Sequence, residues 1–194
     1  MNRYHQWICR SRKWAGLMAD SVLPAALAGI DLGDRVLELG PGYGASTRPL
    51  AGRTAALTAI EPDPVLARRL RRELGQRVTV VEGDARALPF PAASFSAVVC
   101  FTMLHHLPGG GAQDELFAEA ARVLRPGGVL AGSDSQPSLR WRLIHLGDIC
   151  TPVDPGTLPG RLARAGFPQA RVHATGGRLF FAAHLPGERT PGHD

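Results

Sequence analysis

Three glycines and a carboxylate fall within the stretch Glu38-Leu-Gly-Pro-Gly-Tyr-Gly44, directly after the apolar run that opens at Arg35. Glycines there let the backbone approach a ligand closely and take up angles that a side chain forbids. Their spacing is not the G-x-G-x-x-G of a dinucleotide site, and the Lys-Ser/Thr pair of a Walker loop is missing. Glu61 closes the next apolar run, and a carboxylate about 20 residues beyond such glycines can accept hydrogen bonds from both hydroxyls of a ribose. Gly83-Asp84-Ala85 closes a third run, where Asp84 can take an exocyclic amine and the Ala85 amide can meet a ring nitrogen. Phe101-Thr102 closes a fourth, offering carbonyls and an aromatic wall. Together these loops describe a pocket for an adenosine-bearing ligand without a pyrophosphate, because Glu38 would repel phosphate and welcome an ammonium. His105 and His106 follow at once. Histidine titrates near neutrality, so either can act as a base where an acceptor must lose a proton. The blander alternative packs one ring on the ligand and ties the other to a backbone carbonyl. His5 and His145 are weaker candidates.

The elements that must carry these loops alternate between two periods. Strands are expected at 35–39, 55–60, 77–81, 95–101 and 129–133, each apolar without hydrophobic-polar alternation, as in a parallel sheet covered on both faces. Helices are expected between them: a short one at 46–50, one from Asp63-Pro64 to Leu74, and one from Gln113 to Leu124. Asp63 followed by Pro64 is a helix-start signature. Beyond residue 136 a helix at 158–165 precedes a closing strand pair, 170–174 and 178–184, joined across Gly176-Gly177. Trp14, Leu17, Met18 and Val22 recur at helical spacing and make the N-terminus a helical preface. The cations among the first twenty residues interrupt any secretory signal.

Composition bounds the rest. The chain has 194 residues, 44% of them hydrophobic, 20% charged, and three cysteines. That suits one globular domain in a reduced, cytoplasmic setting, and no stretch reaches the ~20 apolar residues of a membrane span. The net charge of +5 raises nucleic acid as a partner. However, Lys13 is the only lysine, and the cluster Arg68, Arg69, Arg71 and Arg72 has Glu73 beside it. It reads more simply as the solvated face of a helix.

The run from Val36 to Gly44, then Glu61, Gly83 to Phe90, Phe95 to His106 and Arg122 to Gly128 resembles the class I S-adenosylmethionine-dependent methyltransferases. Within that class it is most similar to the small-molecule group with a Leu-His-His signature. The resemblance implies a Rossmann-like, doubly wound α/β sheet of seven strands, mostly parallel with an antiparallel last strand. It implies a single domain over 1–185: a helical lid at 1–30, a cofactor-binding core at 34–133, and a substrate-side segment with closing strands at 134–185. A polar tail, 186–194, is expected to be flexible. S-adenosylmethionine would be the cofactor. Gly40, Pro41 and Gly42 would line its methionine portion, with Glu38 on its ammonium. Glu61 would take the ribose, Pro62 would flank the adenine, and Gly83, Asp84 and Ala85 would sit at the adenine edge. Phe101 would close the site, and Tyr43 would cover the cofactor or lie on the surface.

Absences then narrow the acceptor. Strand four ends in Cys-Phe-Thr-Met, without the Asn/Asp-Pro-Pro-aromatic loop of base methyltransferases. The double-glutamate loop of arginine methyltransferases is missing, and no acidic cluster suits magnesium, so no metal is expected. Leu139, Trp141, Leu143, Ile144 and Leu146, with Arg140 and Arg142 among them, would frame a small, partly apolar metabolite. The rivals are a methyltransferase acting on RNA or protein, and a non-catalytic module for an adenosine ligand.

Overall fold

The last four residues of Arg35–Leu39 (β1) are all buried, so both faces of the strand are covered and it must lie inside a sheet. β1 pairs in parallel with Ala56–Glu61 (β2), Leu39 standing opposite Ile60. β2 pairs in parallel with Thr79–Glu82 (β3). On its other side β1 pairs in parallel with Phe95–Phe101 (β4), which pairs in parallel with Leu124–Ser135 (β5). Gln169–Thr175 (β6) and Arg178–His184 (β7) form the closing hairpin, and β7 inserts antiparallel between β5 and β6. The order β3-β2-β1-β4-β5-β7-β6 is the expected seven-stranded, doubly wound sheet. The computed structural model describes residues 2–187, apart from the Arg140 side chain. From residue 188 on, the expected tail lies outside the described residues.

Helices cover both faces. Arg3–Cys9 (α1), Arg12–Leu17 (α2) and Leu23–Ala26 (α3) form the preface. Thr47–Leu50 (α4) follows β1, Pro64–Leu74 (α5) follows β2, and Gly109–Val123 (α6) joins β4 to β5. Leu139–Ile144 (α7) and Leu158–Arg164 (α8) lie between β5 and β6. On one face Met18, Val22 and Leu23 join Leu70 and Leu74 over Val36, Val99 and Ala131. On the other, Leu116, Phe117, Leu162 and Phe167 pack over Leu37, Val98 and Leu130. Each such fully buried side chain stabilises the fold by about 1.5–3 kcal/mol.

Local signals explain most boundaries. Asp63 caps α5 by accepting the Val65 and Leu66 amides at 2.7 and 3.2 Å. Three expectations need correction. The helical face expected over Trp14, Leu17, Met18 and Val22 is interrupted: α2 passes into a wide π turn, Met18–Val22, which keeps those two side chains buried and leaves Leu17 exposed. α6 starts at Gly109, earlier than Gln113, because contacts distant in sequence override the low helix propensity of glycine. The Gly109 amide donates to Thr151 Oγ1 at 2.9 Å, and the buried Gln113 donates to the carbonyls of Leu104 and Thr151. β5 starts at Leu124, which pairs with Phe95 across an irregularity that absorbs Pro126-Gly127-Gly128.

Candidate active site

The carboxyl ends of the parallel strands open into a cavity of about 440 Å³. Its floor lies where the strand order switches between β1 and β4, the position at which wound sheets take ligands. Gly40 and Gly42 turn the chain there with φ of +62° and +55°, a region costly for side chains. A Cβ on Gly40 would stand 3.0 Å from Met103 Cε, whereas one on Gly42 would meet open space. The Gly42 amide donates to Glu61 Oε2 at 2.9 Å, and the Asp63 amide donates to Oε1 at 3.1 Å. Burial pushes the Glu61 carboxyl above the usual carboxylate range, against these two bonds. Glu38 is fully buried beneath the turn. The Ser46 hydroxyl donates to its Oε1, while Oε2 has no hydrogen-bond partner. Burial pushes Glu38 up to about 7.

Gly40, Pro41, Gly42, Tyr43, Glu61, Pro62, Phe101, His105 and His106 all line the cavity. Glu38 does not; it stands one layer back, behind the lining residue Ser46. Gly83, Asp84 and Ala85 do not line it either. The Asp84 carboxylate is held by Arg86 at 2.6 Å, which keeps it below the usual carboxylate range, and Ala85 is buried in the apolar core. The Tyr43 ring lies between two guanidinium groups, with Arg10 Cζ 5.7 Å and Arg69 Cζ 5.3 Å from its centroid. Thr102, at the end of β4, takes φ +53°, which is unusual for a β-branched residue. It is fixed by its amide on the Ser133 carbonyl at 2.7 Å and its hydroxyl on the Phe101 carbonyl at 2.8 Å.

Opposite the glycine turn, four histidines meet. His105 donates its backbone amide to Asp134 Oδ2 at 3.0 Å and bonds Oδ1 of the same carboxylate through Nδ1. His145 Nδ1 lies 2.7 Å from the Trp141 carbonyl, and His5 Nδ1 lies 3.0 Å from Asp148 Oδ2. His106 packs with its ring centroid 4.1 Å from that of His105 and 5.1 Å from that of His5. Burial and the three neighbouring rings push His106 down to about 2, so it is uncharged at neutral pH. Asn2 places His5: it caps α1 on the His5 amide and donates to the carbonyls of Ile144 and Leu146. α1 and α7 thereby roof the cavity together, with Ile8, Trp14, Trp141 and Ile149 among the apolar lining. Sequence reasoning missed Asp134 and Asp148, and it placed Thr102 at the strand end without its positive φ. An acid directly after the apolar run 129–133 is the one signal that points to Asp134.

Comparison with known proteins agrees with this geometry. Residues 37–132 match the family model described as a methyltransferase domain. The chain is similar to demethylmenaquinone methyltransferase of Tropheryma whipplei, 37% identical over 111 residues, which cover 54% of this chain and 43% of that one. It is also similar to ribosomal RNA small subunit methyltransferase A of Bordetella pertussis, 55% identical over 58 residues, 29% of this chain and 22% of that one. The chain thus spans less than half the length of these curated relatives. A solved structure from Thermotoga maritima, described as a SAM-dependent methyltransferase and possible histamine N-methyltransferase, superposes with a TM-score of 0.74. That likeness covers 93% of this chain and 97% of the other at 17% identity, and it carries the fold alone. The matched region, residues 37–132, holds the glycine turn, Glu61 and the ends of β3 and β4, and by this match it is a methyltransferase domain.

Proposed function

We propose that the chain transfers the methyl group of S-adenosylmethionine to a small, partly apolar acceptor held beneath α1 and α7. The cofactor, when bound, supplies a methyl carbon already activated by its sulfonium, so alignment and exclusion of water are the protein's main tasks. The residues present suit it. The Gly42 Cα faces open space, and Glu38, one layer behind the cavity wall, would act on an ammonium through Ser46 or a water. Each Glu61 oxygen accepts one backbone amide and retains a lone pair for a ribose hydroxyl. Gly40, Pro41 and Tyr43 would border the methionine portion, Pro62 the adenine, and Phe101 the far wall. Asp84 would reach the adenine edge only by releasing Arg86, and Gly83 and Ala85 would offer backbone there.

One observation carries this reading: a cavity of about 440 Å³ runs from the glycine turn to the histidines without leaving the roof of α1 and α7. That volume lies within the range of sites for small molecules, about 300–1,000 Å³. His106 lines the cavity and packs on His105; burial pushes it down to about 2, so it would serve as an uncharged wall for the acceptor and not as its base. His105 is held rigidly by Asp134 and serves behind it. Part of the basic surface is spent within the chain, which weakens the case for a nucleic acid. Arg48 and Arg69 are taken up by Glu73, Arg71 by the Val80 carbonyl, and Arg161 by Asp114. No helix among the described residues is long and apolar enough to cross a membrane.

S-adenosylmethionine and its demethylated product should raise the melting temperature whereas NAD does not, and Gly42→Val should remove most of that shift. Normal binding by Gly42→Val would contradict the placement of the cofactor. The Bordetella relative favours a second reading, an RNA acceptor. RNA binding whose strength falls steeply with added salt would support it, and binding indifferent to salt would count against it.

A further inference from the structure

We propose that His5, His106 and His145 form a binding site for one divalent transition-metal ion, with an open coordination position facing the cavity. The three side chains come from distant parts of the chain, yet each offers a ligand atom within 4.8 Å of the other two. All three line the cavity, so a position not taken by protein faces the space where an acceptor would lie.

The hydrogen bonds around the rings are those of metal ligands. A histidine that binds a metal through one nitrogen holds its other N–H on a carboxylate or carbonyl oxygen. His5 Nδ1 does so on Asp148 Oδ2 at 3.0 Å, and His145 Nδ1 on the Trp141 carbonyl at 2.7 Å. With Nδ1 so held, Nε2 of each ring is the nitrogen left for a metal, although His145 Nε2 also touches His105. The His106 ring has no hydrogen bond among the described residues, so either nitrogen is available. His145 Nε2 stands 3.2 Å from His105 Nε2, while the other nitrogen of His105 is committed to Asp134. That contact between the rings must open for His145 Nε2 to take an ion.

The donor set names the ion class. Imidazole nitrogens suit zinc, copper, nickel or iron, whereas magnesium and calcium require oxygen. At bond lengths of about 2.0–2.1 Å, tetrahedral ligand nitrogens stand about 3.3 Å apart, against a present spacing within 4.8 Å, so the rings would draw together around an ion. Three protein ligands with a vacant fourth position are the arrangement of a catalytic site, not of a closed structural one. The vacant position would take an oxygen, nitrogen or sulfur lone pair of the methyl acceptor. That last step rests on the methyl-transfer reading; the ion site does not.

The test is a titration of the chelator-stripped full chain with Co²⁺, read by its visible d–d absorption. One ion per chain should bind and be displaced by Zn²⁺. His106→Gln and His5→Gln should each weaken binding about tenfold or more, and Asp148→Asn about 10–100-fold. A wild-type chain with no visible band, or a His106→Gln chain that binds Co²⁺ as tightly as wild type, would overturn the site. His106→Gln breaks no hydrogen bond, and a retained melting shift with S-adenosylhomocysteine would show that its cavity is intact. Co²⁺ binding by a wild-type chain that gives no such shift would uphold the ion site while sinking the methyl-transfer reading.

Discussion

Glu61 ties the ends of two strands together: its Oε2 accepts the Gly42 amide at 2.9 Å and its Oε1 the Asp63 amide at 3.1 Å. One carboxylate at the end of β2 thus holds the turn after β1 and the entry to α5. Hydrogen bonds to a charged group are worth about 1.5–3 kcal/mol each. Glu61→Ala should therefore loosen the glycine turn and weaken S-adenosylhomocysteine binding by at least about tenfold, with Glu61→Gln retaining part of the affinity. Calorimetric titration of both variants decides it. Wild-type affinity in Glu61→Ala would mean that the turn does not depend on this carboxylate.

The buried Glu38 makes the stability of the protein depend on pH. Burial pushes its carboxyl up to about 7, above an ordinary value of 4.5. Between those values the unfolded chain has released this proton and the folded chain still holds it, so the folded state binds more protons and loses stability as pH rises. The loss from this group is on the order of 3 kcal/mol across that window, complete above pH 7 and absent below 4.5. Thermal melts of Glu38→Gln without cofactor should show a flatter pH dependence between pH 5 and about 7 than wild type. Parallel curves would show that Glu38 is ionised in the folded chain throughout.

The strands and the glycine turn were legible because their signals are local. Val36, Leu37 and Leu39 announce a strand buried on both faces, and Asp63-Pro64 announces a helix start, with no knowledge of the rest of the chain. The roof was not legible in this way. His5, His106 and His145 lie far apart in sequence, and only the docking of α1 on α7 brings them together. α7 itself looked like a mere apolar lining, since its cap, Ser138 accepting the Trp141 amide at 3.1 Å, is a single short-range bond. The π turn at Met18–Val22 also escaped the pattern, because a helical period assumes a constant rise that this segment does not keep. Asp84 shows the opposite failing: its place at a strand end was readable, but its capture by Arg86 was not.

Asn2 should control the roof without touching the glycine turn. Its side chain caps α1 on the His5 amide at 2.9 Å and donates to the Ile144 carbonyl at 2.8 Å. Asn2→Ala removes the cap, worth about 1 kcal/mol, together with the link to α7. Amide hydrogen exchange should accelerate in α1 and α7 but not in β1 or α5, and affinity for S-adenosylhomocysteine should change less than threefold, about 0.6 kcal/mol. Uniform acceleration across the sheet would show that the preface supports the whole fold and is no separate cover.

Asp134 is the test of how firmly the histidine cluster is built into the core. It is fully buried and its carboxylate accepts three donors: the His105 amide at 3.0 Å, the Ser135 amide at 2.6 Å and the His105 ring. Asp134→Ala orphans all three in a site closed to water, and each buried donor left without a partner costs about 1–3 kcal/mol. Asp134→Asn keeps one acceptor oxygen, so it should lose less. Chemical denaturation should therefore rank wild type above Asp134→Asn and Asp134→Asn above Asp134→Ala, with a total spread of about 3 kcal/mol or more. A spread below about 1 kcal/mol would mean that water reaches these groups and that the cluster is not held as rigidly as its hydrogen bonds imply.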